Sequence, residues 1–265
     1  MRRLIASVVL FASLLFTPSY AGFPGSGAGY PRGTCAAGND SFTKVLLHMD
    51  GANAGTSFPD TNAGGVSATW SVTGSATTTT STFRFGTASY QGAASSYIQS
   101  NQNSPYNAGS SDFTIDFWIR GSAANATTLQ YIAGYGDSSL TNNIGWFIYY
   151  DASKFLRASF QNSSGSNYQT NTGATTVIDG NWHHIAYVKT SSSTQIYIDG
   201  VATGSSVSPS GSMRTGTYQL QVGQAVMASG TNANPFLGNI DEFRYSIGIA
   251  RWTTNFTPSG LPWCN

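Results

Sequence analysis

Residues 112–120 alternate without a break. Phe113, Ile115, Phe117 and Ile119 fall on one side of an extended chain, and Thr114, Asp116, Trp118 and Arg120 on the other. A period of two marks a β-strand, because successive side chains leave opposite faces of a sheet. The pattern returns at 182–189, where Trp182, His184, Ala186 and Val188 alternate with His183, Ile185, Tyr187 and Lys189. Apolar or alternating runs at 45–49, 145–150, 155–161, 196–198, 218–222 and 237–245 continue the series. Gly, Asn, Ser and Thr separate them, Asp151–Lys154 reads as a hairpin loop, and Asp199-Gly200 as a tight turn. Nothing amphipathic at a helical period appears beyond one turn at 247–252. The chain therefore predicts an all-β fold, a two-sheet antiparallel jelly-roll sandwich in one domain. No internal repeat or break in composition divides it.

Charge is scarce. Twelve basic and eleven acidic residues make up 9% of 265, against about 25% in ordinary globular chains. Ten of the acids are Asp, and Glu242 is the single Glu. Helical bundles draw on Glu and Lys for their exposed faces, so this composition argues against one. A net charge of +1 with no basic run argues against nucleic acid as a partner. Hydrophobic residues at 40% and aromatics at 13% supply a core and argue against disorder.

Residues 1–21 read as a signal peptide. Arg2 and Arg3 precede an apolar stretch, Leu4 to Phe16, and Ser19 and Ala21 suit a cleavage site before Gly22. The stretch is shorter than the ~20 residues a membrane span needs, so no span is expected after cleavage. Residues 22–43, rich in Gly, Pro and Ala, read as a flexible lead-in to a domain at 44–265. Export places the protein outside the cell, where disulfides persist. The only cysteines, Cys35 and Cys264, lie near the two ends of the mature chain and are expected to pair.

Several of these segments resemble one family. Val45-Leu46-Leu47-His48-Met49-Asp50-Gly51 opens the likeness, and Phe85-Gly86-Thr87-Ala88-Ser89-Tyr90 and the Asp112–Arg120 strand follow. Trp182-His183-His184-Ile185-Ala186, Ile196-Tyr197-Ile198-Asp199-Gly200, Gly238–Arg244 and Ala250–Pro258 complete it in order. The chain resembles a laminin G-like jelly-roll of the concanavalin A-like lectin/glucanase superfamily over about residues 44–258. The resemblance implies the sandwich fold and leaves activity open, since such folds host lectins, adhesion modules, glycosidases and lyases.

Retaining and inverting glycosidases need two carboxyl groups flanking the bond. The superfamily's glucanases carry a Glu-x-Asp-x-Glu strand, which a chain with one Glu lacks. A polysaccharide lyase would move protons with His or Tyr. Of the three histidines, His48 lies in the first strand, and His183 and His184 sit in a motif that non-catalytic members share. Calcium favours several oxygen ligands, and Asp-rich loops suit it. The resemblance implies a structural calcium in some members, and the corresponding positions here are Asp50, Asp60 and Asp241. The alternative makes Asp50 and Asp60 turn residues and pairs Asp241 with Arg244. Glycan recognition needs aromatic faces beside planar hydrogen-bonding groups. Trp118 and Arg120 share a strand face, and Tyr149 sits beside Phe147 on one face of another strand. A covered second layer is the competing reading for Trp118, and Tyr135 and Tyr168 are further candidates.

Together these features predict a secreted, non-catalytic binding module for a glycan or extracellular protein, with calcium as its one cofactor. The alternatives are a polysaccharide-active enzyme, a lyase before a glycosidase, or a structural or adhesion component of a surface or particle. Sequons fall at Asn39, Asn125, Asn162 and Asn255.

Overall fold

The computed structural model describes residues 34–66, 68–101, 105–122, 128–136, 144–173, 176–214, 216, 218–225 and 234–265. The expected signal peptide, residues 22–33 of the lead-in and Asn125 lie outside the described residues. Among the described residues fifteen strands follow one another: β1 (Thr43–Leu47), β2 (Trp70–Thr73), β3 (Thr77–Thr79), β4 (Ser89–Gln91), β5 (Tyr97–Ser100), β6 (Phe113–Gly121), β7 (Gln130–Gly136), β8 (Ile144–Tyr150), β9 (Leu156–Gln161), β10 (Asn167–Asn171), β11 (His183–Lys189), β12 (Thr194–Ile198), β13 (Val201–Val207), β14 (Gln219–Val222) and β15 (Gly238–Ile247). No helix occurs among the described residues.

The strands form one path, β2-β5-β14-β7-β8-β9-β10-β13-β12-β11-β6-β15-β4-β3, with β1 paired to β15. This differs from the two separate sheets expected. The reason lies at β10 and β13, which share one register pair, Asn171 with Ser205. Gly204 beside it has φ +75°, and a Cβ there would overlap the Asn171 carbonyl oxygen. A glycine thus lets two blocks of strands touch and join. The path curls so that its inner faces meet. Phe113, Ile115 and Phe117 of β6 share one core with Trp146 and Ile148 of β8 and Phe160 of β9. The Trp146 ring lies 5.4 Å from Tyr245 of β15, and Phe113 lies 6.2 Å from Phe160.

Turn chemistry follows the sequence. Asp199 (φ +50°) and Gly200 (φ +80°) link β12 to β13 in a two-residue loop. Asp151 Oδ1 accepts the Ser153 and Phe155 N–H groups and closes the β8–β9 hairpin.

The outer face of β6, β11 and β15 is covered as well. Asp116 and Arg244, 0% and 1% exposed, form a two-pronged pair: Nε donates to Oδ1 at 2.8 Å and Nη2 to Oδ2 at 3.0 Å. Burial alone would raise the Asp116 carboxyl, but the Arg244 charge and the His184 and Arg244 contacts outweigh it and hold the group below its usual range. Both terminal segments lie over this layer. Arg244 Nη1 donates to the Gly38 carbonyl at 2.8 Å, and the Trp263 ring lies 3.6 Å from the guanidinium. Cys35 and Cys264 form the expected disulfide, with Cα atoms 5.0 Å apart. Ala36 pairs in parallel with Trp263 beside it, and Arg251 grips Asp40. Residues 35–42, expected in a flexible lead-in, are tied into the fold by these bonds.

Replacing Asp116 by Ala leaves a buried guanidinium without its anion, and the expected loss of stability is about 3–5 kcal/mol by urea denaturation. A smaller loss, of about 1–3 kcal/mol, is expected for Gly204→Ala, which strains the seam between β10 and β13.

Candidate functional site

The exit of β1 and the middle of β15 bring carboxylates together. The register of β15 against β6 slips by one residue between Asp241 and Arg244, and Glu242 has φ +51°. This β-bulge keeps Ile240 inward before it and Phe243 and Tyr245 inward after it. Asp241, Glu242 and Arg244 are thereby left to the covered outer layer.

Glu242 is 1% exposed. Its Oε1 lies 2.7 Å from His48 Nδ1, and its Oε2 accepts the Trp263 N–H at 2.8 Å. His48 Nε2 lies 2.6 Å from Asn265 Oδ1. Asp241 is fully buried. Its Oδ2 accepts the Arg84 and Phe85 N–H groups at 2.7 and 3.1 Å, while its Oδ1 has no hydrogen-bond partner. Burial first, then the charges of Glu242 and Asp50, push the Asp241 carboxyl well above its ordinary range. Asp50 Oδ1 accepts the Thr87 and Ala88 N–H groups at 2.5 and 3.2 Å and the Thr87 hydroxyl at 3.1 Å.

Asp60 stands apart, on the edge of β1 away from β15. Its Oδ1 accepts from Leu46 N–H, Asn62 N–H and Asn62 Nδ2, and its Oδ2 from Trp70 Nε1 at 3.3 Å. Both oxygens are engaged in holding the 60–66 segment to β1. Among the described residues no three His, Cys, Asp or Glu side chains gather as a metal-holding group. Asp50 and Asp241 share a field of negative charge, and Asp60 belongs to a different contact. Asp241 does not pair with Arg244, whose carboxylate partner is Asp116.

Of the three residues singled out for ligand contact, Trp118 and Arg120 stay two residues apart on β6, and Tyr149 lies apart from them on β8. Trp118 is 8% exposed, with the Arg84 guanidinium 4.2 Å above its ring and Phe85 and His184 at its edges. Arg120 Nε donates to the Gly180 carbonyl at 2.7 Å. Tyr149 lies far along the sheet on β8, where it packs against Tyr131 and Phe147 at 5.5 and 5.4 Å and its hydroxyl accepts from Gln169 Nε2. The remaining histidines are engaged too. His183 lies between Asp199 and Asp179 at 2.7 and 3.1 Å, and the Asp199 hydrogen bond outweighs the lowering effect of partial burial and sets its pKa above the ordinary value. His184, 1% exposed, is ringed by Trp118, Trp252 and Phe256.

The sequence did not mark the pairing of His48 with Glu242. Its one trace is the spacing of Ile240, Phe243 and Tyr245, which breaks the period of two at the bulge.

A laminin G family model, described as the concanavalin A-like lectin/glucanases superfamily, matches residues 91–246. Comparison with curated proteins finds no match. Among solved structures, domain 4 of AbnA, an extracellular arabinanase from Geobacillus stearothermophilus, in complex with arabinotriose, aligns with a TM-score of 0.56 at 16% identity, over 78% of this chain and 93% of that one. The binding domain of Paraclostridial Mosquitocidal Protein 1 aligns at 0.58 and 17% identity, over 77% and 48%. The botulinum neurotoxin serotype G binding domain aligns at 0.55 and 14% identity, over 81% and 48%. The chain spans about half the length of these two toxin domains. At such identities the likeness is one of fold, and the family match over more than half of the sequence adds the lineage: the chain belongs to the concanavalin A-like lectin/glucanase superfamily.

Proposed function

We propose that the chain is a secreted, non-catalytic binding module for a glycan or an extracellular protein partner, a jelly-roll sandwich in type, stabilised by calcium. The fate of Glu242 carries the non-catalytic part. The one Glu is buried, and both of its oxygens are committed, to His48 and to the Trp263 backbone. Hydrolysis would need an accessible pair of carboxyl groups. The structural neighbours favour binding, one being an arabinanase domain in complex with arabinotriose and others toxin binding domains. The disulfide between positions 35 and 264 accords with an extracellular setting.

The calcium part rests on Asp241 Oδ1, a buried acceptor without a partner. Such an atom is costly unless a proton or a cation meets it. Asp50 supplies a second carboxylate near it, and backbone carbonyls would complete an oxygen shell. Asp60 does not fit this set. Bound there, calcium would neutralise the carboxylate pair and hold the β1 exit against the 84–88 segment.

A glycan array with and without chelator tests the module. Binding to at least one glycan or extracellular protein is expected; silence on both would overturn the reading, and unsaturated products absorbing at about 235 nm would replace it with a lyase. Saturating calcium, at ~100 times its Kd, is expected to raise the melting temperature by roughly 5–10 °C. Asp241→Asn keeps an acceptor for the Arg84 and Phe85 N–H groups and should abolish that rise. Without calcium, a carboxyl whose folded pKa is raised stabilises below its unfolded pKa, and that contribution is lost as pH climbs through the raised value. Melting in chelator should therefore fall across that window in the parent and stay flatter in Asp241→Asn.

A further inference from the structure

The outer face of β8, β9 and β10 carries polar groups whose hydrogen bonding the fold leaves half complete. Trp146 and Ile148 of β8 and Ala158 and Phe160 of β9 point into the core. Alternation then turns Tyr149, Arg157, Asn167, Gln169 and Asn171 outward. Asn167 is exposed, and the other four are half-buried. Along β10 the three amides stand at alternate positions, about 7 Å apart. Each ties one end to the protein. Asn167 Oδ1 accepts from the Ser159 hydroxyl, Gln169 Nε2 donates to the Tyr149 hydroxyl, and Asn171 Oδ1 accepts the Gly173 N–H. Asn167 Nδ2, Gln169 Oε1 and Asn171 Nδ2 have no further partner among the described residues. The Tyr149 hydroxyl accepts its bond, so its own hydrogen is free to be donated. Burial raises the Tyr149 pKa, and the hydroxyl keeps that proton at neutral pH.

These features select a ligand. The Tyr149 donor and the Gln169 acceptor are held side by side by their mutual bond, and donor amides flank Gln169 along β10 on both sides. A hydroxyl both gives and takes hydrogen bonds, so adjacent hydroxyls of one sugar ring match this arrangement. The half-buried Tyr149 ring, braced by Tyr131 and Phe147, adds an apolar surface for the C–H side of such a ring. Charge is absent in sum. Arg157 is the one charged residue of these three strands, and its Nε and Nη2 both lie 2.6 Å from Asp151 Oδ2. The pair favours neither an acidic nor a basic ligand. We infer that the outer face of β8–β10 is a subsite for an uncharged saccharide unit, with Tyr149 and Gln169 meeting its hydroxyls and Asn167 and Asn171 at its two sides. The inference rests on the module reading and gives it a place and a ligand class.

Titration calorimetry on the whole chain tests it, with oligosaccharides of glucose, xylose, mannose, galactose and arabinose, and with oligogalacturonate as the acidic comparison. At least one neutral oligosaccharide is expected to bind, more tightly than the acid, and with an affinity that changes less than about two-fold between low and high salt. Tyr149→Phe keeps the ring and its packing and removes the donor, and Gln169→Ala removes the acceptor from a half-buried position. Each is expected to weaken neutral-sugar binding about five-fold or more. Circular dichroism and melting temperature show that each variant is folded. Tighter binding of oligogalacturonate, a larger salt dependence, or a loss smaller than that five-fold in either folded variant overturns the subsite. Binding of an extracellular protein but of no sugar also overturns it and leaves the module reading standing, whereas silence across glycans and proteins removes both.

Discussion

The Asp116–Arg244 pair is the interaction on which the outer half of the molecule depends. Two opposite charges are buried on the face of a sheet that would otherwise meet water. Their mutual bonds do not complete the arrangement, because a guanidinium has more donors than one carboxylate accepts. The Gly38 carbonyl and the Trp263 ring supply the rest. The pair thereby recruits both terminal segments, and the disulfide fixes them in place. The β15 bulge is its precondition. Without the bulge at Glu242 to absorb the extra residue, the period of two would carry Arg244 into the core and leave Asp116 alone.

Scarcity of charge takes on a specific meaning in this setting. Asp116, Asp241, Glu242 and Arg244 are all buried in one layer, so part of an already small complement of charge is spent on internal structure. Asp151 binds Arg157, and Asp40 binds Arg251. Ser, Thr, Asn and Gln provide much of the surface polarity. Such a surface offers little long-range attraction, and recognition must come from close fit.

The strands were legible because alternation is a local signal. Phe113 through Ile119 face the core as their spacing requires, and Asp199-Gly200 turns as its chemistry requires. The disulfide was legible from the count and position of two cysteines. What escaped was non-local. A single pair between Asn171 and Ser205 turns two blocks into one sheet, and no spacing within β10 or β13 announces it. Asp60 and Asp241 look alike in sequence, as short acids near turns. One spends both oxygens on Leu46, Asn62 and Trp70, and the other leaves an oxygen without a partner, a difference set by what folds against them. Trp118 and Tyr149 look alike as aromatics on alternating strands, yet they lie on distant parts of the sheet.

The bond between Cys35 and Cys264 has a mechanical consequence. It closes 229 residues of separation with a covalent link. A pull applied to the chain on either side of these positions passes through sulfur and bypasses the hydrogen-bonded strands. Under tension the fifteen-stranded sheet is unloaded, and its extension is limited to the chain outside the ring. A chain held at one end and pulled at the other would keep its strands paired for as long as that bond stays oxidised.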